Sequence, residues 1–442
     1  MSKLEDALRN LLQLALLAST LVLGVLGCPL FGGAGQFRAS VVKIDITPDQ
    51  SEWLLGYGPR RSTGVHDHLY HRIVAMDDGN TQFFLISTDL CLFSPSVYDE
   101  VMSELQTQTR IKPLQVWWTT THTHSAPEVG PPGLAGVFMG ERYEHDHNTQ
   151  YSSWVQQKLI NGIKEAQAKL EPARLGFGGG LAMANINRRA RNEEGPAFLG
   201  LNPDGPVDRR IGLIRLEKAD GTLFALIANY AMHGTVLGAE NLLISGDAPG
   251  IVADYVEEKL GVPMLYINGA AGNLAPIYTV YPDFKSGHLD QFRALLGDKI
   301  LAANRLIGPT TSDVRLSLGQ QIVETPRKAG LGWAPDLGKY TRQTSTGETV
   351  VCLPIRFLQI NSDIAIWAAP LELFCEVAMQ IRDLSPFPFT FYFGYCNGWL
   401  GYMPTKAEFA YEGYEPSVSP YTSQAEGDLI RTVVSYLQGQ SR

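Results

Sequence analysis

The chain has 442 residues, 45% of them hydrophobic and 18% charged, with a formal net charge of −9. That is the composition of a globular protein, over a length beyond the ~250–300 residues at which single cores stop growing, so one large layered domain or two smaller ones is expected. A negative balance with no basic patch excludes the electrostatic footprint of a nucleic-acid binder.

Residues 1–28 read as a signal- or lipoprotein-type leader or anchor. Lys3 and Arg9 precede an uncharged apolar run from Leu11 to Gly27. The run is short for a membrane span, which needs about 20 residues, and fits a signal-peptide core. Val25-Leu26-Gly27-Cys28 places a small residue before a cysteine, as in a bacterial lipoprotein cleavage box, which makes Cys28 the candidate for lipidation. Export to the cell envelope is the expectation, with a membrane surface as partner through the N-terminus, or secretion as the alternative. Residues 29–37 read as a tether and 38–442 as one large domain.

Strands and helices then alternate. Strands are expected at 41–46, 72–76 and 82–87, a helix at 97–106, a strand at 114–121 and a strongly periodic helix at 151–170. Further strands are expected at 174–177, 211–216 and 223–230. A helix follows at 248–260, with Asp247 as its cap and Pro249 in its first turn. A strand at 264–267, a helix at 289–306, strands at 314–323, 353–359 and 364–368, and helices at 371–382 and 425–437 complete the series. No internal repeat is visible. The pattern predicts a mixed α/β (α+β) domain of layered sheets flanked by helices. Cys91, Cys352, Cys375 and Cys396 have apolar neighbours and no C-x-x-C spacing, so they read as buried free thiols.

The most informative segment is Trp117 to Pro127, W-W-T-T-T-H-T-H-S-A-P. A β-prone run carries into His122 and His124, and i and i+2 share a face of an extended strand. Imidazole is the commonest zinc ligand, so two imidazoles at a strand end point to a metal site. His233 ends the 223–230 strand before Gly234, which supplies a third candidate from a separate element. Glu372 is the candidate carboxylate, a lone acid after an apolar strand; its other reading is complementing the dipole of the helix it begins. The remaining histidines are weaker candidates. His145 and His147 read as solvated surface, His66 and His68 as a turn that supports rather than ligates, and His288 as a cap or surface residue. The loop Asn268–Pro276 is glycine-rich and lets backbone approach a ligand, but lacks the lysine of a phosphate-binding loop.

Seven motifs in this order resemble the neutral (non-lysosomal) ceramidase catalytic domain: T-H-T-H-S, N-I-N-R, a strand ending in His, L-I-S-G-D, G-N-L-x-P, P-x-E and G-Y-x-x-T-x-x-E-F. The resemblance runs from about Arg38 to the C-terminus. It implies a zinc-dependent hydrolase of the N-acylsphingosine amide bond, with one zinc held by His122, His233, Glu372 and Tyr402. It also implies that His124 lies beside the water the zinc activates and that Arg188 lines the site. There are departures: Ala275 stands where the family has a serine, the chain after T-H-T-H-S runs Ala126-Pro127-Glu128, and the family's C-terminal β-sandwich has no counterpart in these residues. The expected partner is a small-molecule or lipid amide. Alternatives at this stage are a zinc hydrolase of a non-lipid amide or ester, and a non-catalytic ligand-binding lipoprotein. Zinc rests on the resemblance, because the same donors also suit iron or manganese.

Overall fold

Regular structure starts where the tether ends; the computed structural model describes residues 36–192, 195–280 and 288–440. The leader, with Cys28, and most of the tether lie outside the described residues. β1 (Arg38–Asp45) pairs antiparallel with β2 (Tyr70–Asp77), and β2 with β3 (Gln82–Thr88). From β3 the chain passes through α1 (Pro95–Gln108) to β4 (Val116–Thr120), which lies parallel to β3. Next come α2 (Thr149–Ala168), β5 (Glu171–Leu181), β6 (Asn185–Ala190), β7 (Phe198–Asn202), β8 (Arg210–Lys218) and β9 (Leu223–Tyr230). A second parallel crossover runs from β9 through α3 (Asp247–Leu260) to β10 (Met264–Asn268).

One eight-stranded sheet results, in the order β10-β9-β8-β5-β1-β2-β3-β4. It curls until its two ends meet: Ser87 Oγ donates to Tyr266 O at 2.5 Å and Asn268 Nδ2 to Thr121 O at 3.2 Å. The carboxyl ends of two parallel crossovers, where α/β sheets place their ligands, therefore fall side by side. β11 (Leu274–Pro276) pairs with β6, which also pairs with β7. After α4 (Asp298–Arg305), a second sheet is formed by β12 (Leu316–Pro326), β13 (Thr349–Ile360), β14 (Ile364–Ala368) and β16 (Phe389–Phe393), with the short strand Thr341–Gln343 paired to β13. Between β14 and β16 the chain makes a two-residue strand, β15 (Glu372–Leu373), and then α5 (Cys375–Leu384). β15 lies parallel to β17 (Tyr402–Met403), and α6 (Ala425–Gln440) closes the fold. Among the described residues no helix is long and apolar enough to cross a membrane.

The mixed α/β expectation holds, and β9 and β14 have the expected bounds. Three local expectations do not. The helix over 289–306 is broken into a 3-10 turn (Leu289–Gln291), a π turn (Arg293–Gly297) and α4. Gly297 abuts α3 there, where a Cβ would stand 2.6 Å from the Tyr255 ring. The helix over 371–382 begins only at Cys375, because Glu372 N pairs with Gly401 O in the β15–β17 ladder. Asp247 is not the cap of α3: its carboxylate accepts from Val236 N and Leu237 N, 3.0 and 2.8 Å away, and so ties the helix start to the loop after His233. The four cysteines are free, with Cys352 half-buried and the other three buried.

One core histidine carries a pH prediction. His71 is wholly buried, its Nδ1 2.7 Å from Thr88 Oγ1 and its Nε2 3.1 Å from Val155 O. Burial drives its pKa down to about 4. Below about 6.5 the unfolded chain binds this proton and the folded chain does not, so stability falls as pH drops from 6.5 to 4, by about 3 kcal/mol for this group. His71→Gln should therefore show a flatter loss of unfolding free energy over that window in denaturant titrations. An unchanged slope would mean that His71 does not titrate this way.

Candidate metal centre

Four chain segments meet at backbone contact, around His122, His233, Gly272 and Glu372. Past β4 the chain leaves the sheet, and His122 adopts φ of 64°, a left-handed conformation rare outside glycine. The pairing of His122 and His124 thus comes from this turn and not from strand alternation, which corrects the sequence reading. His124 N donates to Gly234 O (2.9 Å) and Gly234 N to His122 O (3.2 Å). Only glycine fits at 234, since a Cβ would lie 2.7 Å from His122 O and from Thr123 Cα. Gly272 makes the third contact, donating from N to Leu373 O at 2.9 Å, with Glu372 O only 2.6 Å from where a Cβ would be.

His122, His233 and Glu372, all at most 2% exposed, converge in this knot. Glu372 Oε2 lies 3.2 Å from His122 Nε2 and 3.0 Å from His233 Nε2. The far ring nitrogens are tied to carbonyls: His122 Nδ1 to Cys91 O at 2.8 Å, and His233 Nδ1 to Ala271 O at 2.8 Å. A carbonyl only accepts, so each Nδ1 carries the proton and each Nε2 turns its lone pair to the centre. Trp399 Nε1 donates to Glu372 Oε1 at 2.9 Å, which leaves Oε2 for the centre. Glu372 Oε2 and His233 Nε2 have no hydrogen-bond partner, although both are buried. Buried polar atoms without partners are costly. Two nitrogens and a carboxylate oxygen at these separations suit an ion with bonds of ~2.1 Å, whose tetrahedral edges are ~3.4 Å. The donor set therefore fits a divalent metal such as zinc.

The charges agree with this fit. Burial pushes the Glu372 pKa up, but the His122 and His233 imidazoles overcome it and hold the carboxyl well below the usual carboxylate range. One carboxylate can balance one imidazolium. Burial lowers His122, yet Glu372 outweighs it and raises the pKa to about 10; His233 is lowered by burial, with Arg188 and His122 adding to it, to about 3. A metal bound here would displace that proton from His122.

The other expected residues surround this core. His124 Nε2 is 3.3 Å from His122 Nε2, and its Nδ1 is buried without a partner. Burial, then the neighbouring His122 and His233, hold its pKa well below the ordinary value, so it is neutral at pH 7. Arg188 Nη2 donates to Tyr402 OH (3.2 Å) and its Nε to Glu415 Oε1 (3.0 Å). Tyr402 is the register partner of Glu372. Burial, with Glu372 nearby, holds its phenol well above the ordinary pKa. All six expected site residues therefore lie together. Two neighbours were not expected, Cys91, which supplies the carbonyl, and Glu415, which anchors Arg188; Tyr395 stacks on His122 at 4.2 Å between centroids. Trp399 and Tyr395 are themselves buried, against Glu372 and His122 respectively. No local pattern announces Glu415; only the fold brings it near.

The weaker histidines mostly stay outside. His66 and His68 are exposed, while Asp67 between them accepts from Gly246 N at 2.7 Å and supports that loop. His288 stacks on Tyr278. His145 corrects the surface reading: its Nε2 lies 2.9 Å from Glu128 Oε1, and its ring stacks on Trp53 at 4.1 Å.

Residues 37–269 match the family described as neutral/alkaline non-lysosomal ceramidase, N-terminal. The chain belongs to this family. The match contains His122, His124, Arg188 and His233, whereas Glu372 and Tyr402 lie beyond it. This ceramidase-family chain is 27% identical over 281 residues to the neutral ceramidase of Pseudomonas aeruginosa, covering 61% of the chain and 41% of that protein. It is 29% identical over 232 residues to the neutral ceramidase of Mycobacterium tuberculosis, covering 49% of the chain and 35% of that protein. The matched segments thus span less than half of these relatives. The crystal structure of the Pseudomonas aeruginosa enzyme superposes with a TM-score of 0.74 at 19% identity, over 92% of this chain and 75% of that one. A second structure, of a ceramidase complexed with C2, gives 0.73 at 18% identity, over 90% and 74% of the two chains. These superpositions establish a shared fold.

Proposed function

We propose that this chain is a zinc-dependent amidohydrolase that cleaves the amide bond of an N-acyl lipid, of the class that includes ceramide, with one zinc per chain and Tyr402 completing the ligand set. The observation that carries the proposal is the convergence of His122 Nε2, His233 Nε2 and Glu372 Oε2, two of them partnerless and both imidazoles fixed by carbonyls. A zinc ion held there would acidify water toward ~7 and polarise an amide carbonyl. His124 is a neutral imidazole within reach of the centre, so its Nε2 is assigned the proton of the attacking water and its return to the leaving nitrogen. Arg188 orients the Tyr402 phenol and adds positive charge where the amide oxygen turns negative. Glu372, held ionised, takes up no proton during the reaction. Ala275 has no hydroxyl, so water is the nucleophile. The carbonyl carbon gains the water oxygen, the C–N bond breaks, and the amine leaves with the proton.

The family relationship supports hydrolysis, and the names of the relatives support ceramide as the first substrate to try. The apolar run from Leu11 to Gly27 supports action at the cell envelope or after secretion. The test is release of free fatty acid by the zinc-loaded protein from a panel of N-acyl lipids, ceramide included. We expect turnover of at least one, at a rate that depends on acyl length. A panel left intact, while simple esters or short non-lipid amides are cleaved, would move the substrate class away from lipids. No turnover of any kind would refute the enzyme reading.

A further inference from the structure

Arg142 stands beside this centre without a counter-charge. It lies in the short 3-10 turn Gly140–Tyr143, which follows the T-H-T-H-S segment. Its Nη1 donates to Gly56 O at 3.1 Å. Gly56 backs His124 so closely that a Cβ there would stand 2.5 Å from the imidazole. On its other side the guanidinium lies 5.7 Å from the Tyr414 ring centroid, and that ring is 5.7 Å from the ring of Tyr402. Arg142 thus bridges the wall that holds His124 and the wall that holds Tyr402. The ionisable groups acting on it are the phenols of Tyr414, Tyr402 and Tyr143, and no carboxylate of the described residues pairs with it. The contrast with Arg188 and Arg189, each paired with a buried glutamate, is direct. Arg60, the other guanidinium near His124, is spent on the carbonyls of His124 and Asn241 at 2.6 and 2.7 Å. A partly buried guanidinium with donors left over is the fork that binds a carboxylate two-pronged.

We propose that the substrate carries a carboxylate on its amine half, which Arg142 takes, so that the amides preferred by this chain are N-acyl amino acids rather than neutral N-acyl lipids. This rests on the amidohydrolase reading and narrows its substrate class. A carboxylate near the scissile bond could reach Arg142 while the amide carbonyl lies at the centre between His124 and Tyr402.

The test compares N-lauroylglycine with N-lauroylethanolamine, which keeps the acyl chain and exchanges the carboxylate for an uncharged alcohol. With the zinc-loaded wild type we expect kcat/KM to favour the glycine amide by about 30-fold, chiefly through KM, as one charge-assisted contact provides. In Arg142→Gln the ratio should fall below about 3, and in Arg142→Lys it should be intermediate; zinc content and melting temperature show whether each variant is folded. A wild-type ratio near 1 overturns the proposal, and does so even if Arg142→Gln does not fold. A ratio unchanged in Arg142→Gln also overturns it, as does relief of laurate inhibition in that variant with the ratio intact, which would assign Arg142 to the fatty-acid product. If neither amide is cleaved, the hydrolase reading has failed. Calorimetric binding of N-lauroylglycine to wild type and Arg142→Gln then decides the carboxylate site alone: tighter binding to wild type supports it, and equal or absent binding overturns it.

Discussion

Glu372→Gln should abolish metal retention and lower amide hydrolysis by at least ~10³-fold while leaving the chain folded. The change keeps the volume and the Trp399 contact but replaces the ionised Oε2 that faces both imidazoles at 3.0 and 3.2 Å. A Lewis-acid metal contributes several kcal/mol to such a reaction, and each ~1.4 kcal/mol is a factor of ten in rate. His233→Ala should lose the same factor, and the double variant should lose little more, because the ligands act as a unit. Thermal unfolding separates this from misfolding. Bound metal stabilises by mass action, so a chelator should lower the wild-type melting temperature and leave that of Glu372→Gln unmoved. A Glu372→Gln protein that still binds zinc tightly and turns over amides would mean that the metal sits elsewhere.

Arg189→Met is expected to destabilise the fold by about 3 kcal/mol. Arg189 is 2% exposed and spans two carboxylates, Nε to Glu408 Oε2 and Nη1 to Glu415 Oε2, both at 2.5 Å, while Nη2 donates to Glu412 O at 2.7 Å. Its loss takes one counter-charge from each of two buried glutamates, and removing one partner of a buried pair is costly. Denaturant titrations should show this loss, and adding Glu408→Gln and Glu415→Gln should not restore it, because Glu408 also pairs with Arg191 and Glu415 with the buried Arg188. Activity should fall with stability in the single variant, because Glu415 also holds Arg188 against Tyr402. A single variant as stable as wild type would show that this network does not hold the site's outer wall.

Much of this was legible in the sequence, for reasons that differ by residue. β9 and β14 are short apolar runs bounded by polar or turn residues, so local pattern alone fixes them. Glu372 stands out as the lone acid after an apolar strand, but its element does not: the backbone of Glu372 bonds to Gly401, 29 positions away, and no local signal competes with the helical pattern that follows. The His122–His124 pair was likewise found through strand periodicity, although a left-handed turn at His122 makes the pairing. Histidine, unlike glycine, gives no warning of such a turn. The break near Gly297 comes from contact with Tyr255, and the roles of Trp399, Glu415 and Arg142 come from neighbours remote in the chain. Site chemistry was therefore readable wherever residue type alone carries it, and unreadable wherever the partner is set by topology.

The most direct measurement is the metal content of the purified full chain, followed through chelation and stoichiometric return of zinc while amide hydrolysis is recorded. The account predicts about one ion per chain, with activity lost on chelation and regained as one equivalent of zinc is restored. Hydrolysis that persists in the metal-free protein, or a chain that takes up no metal, would contradict it.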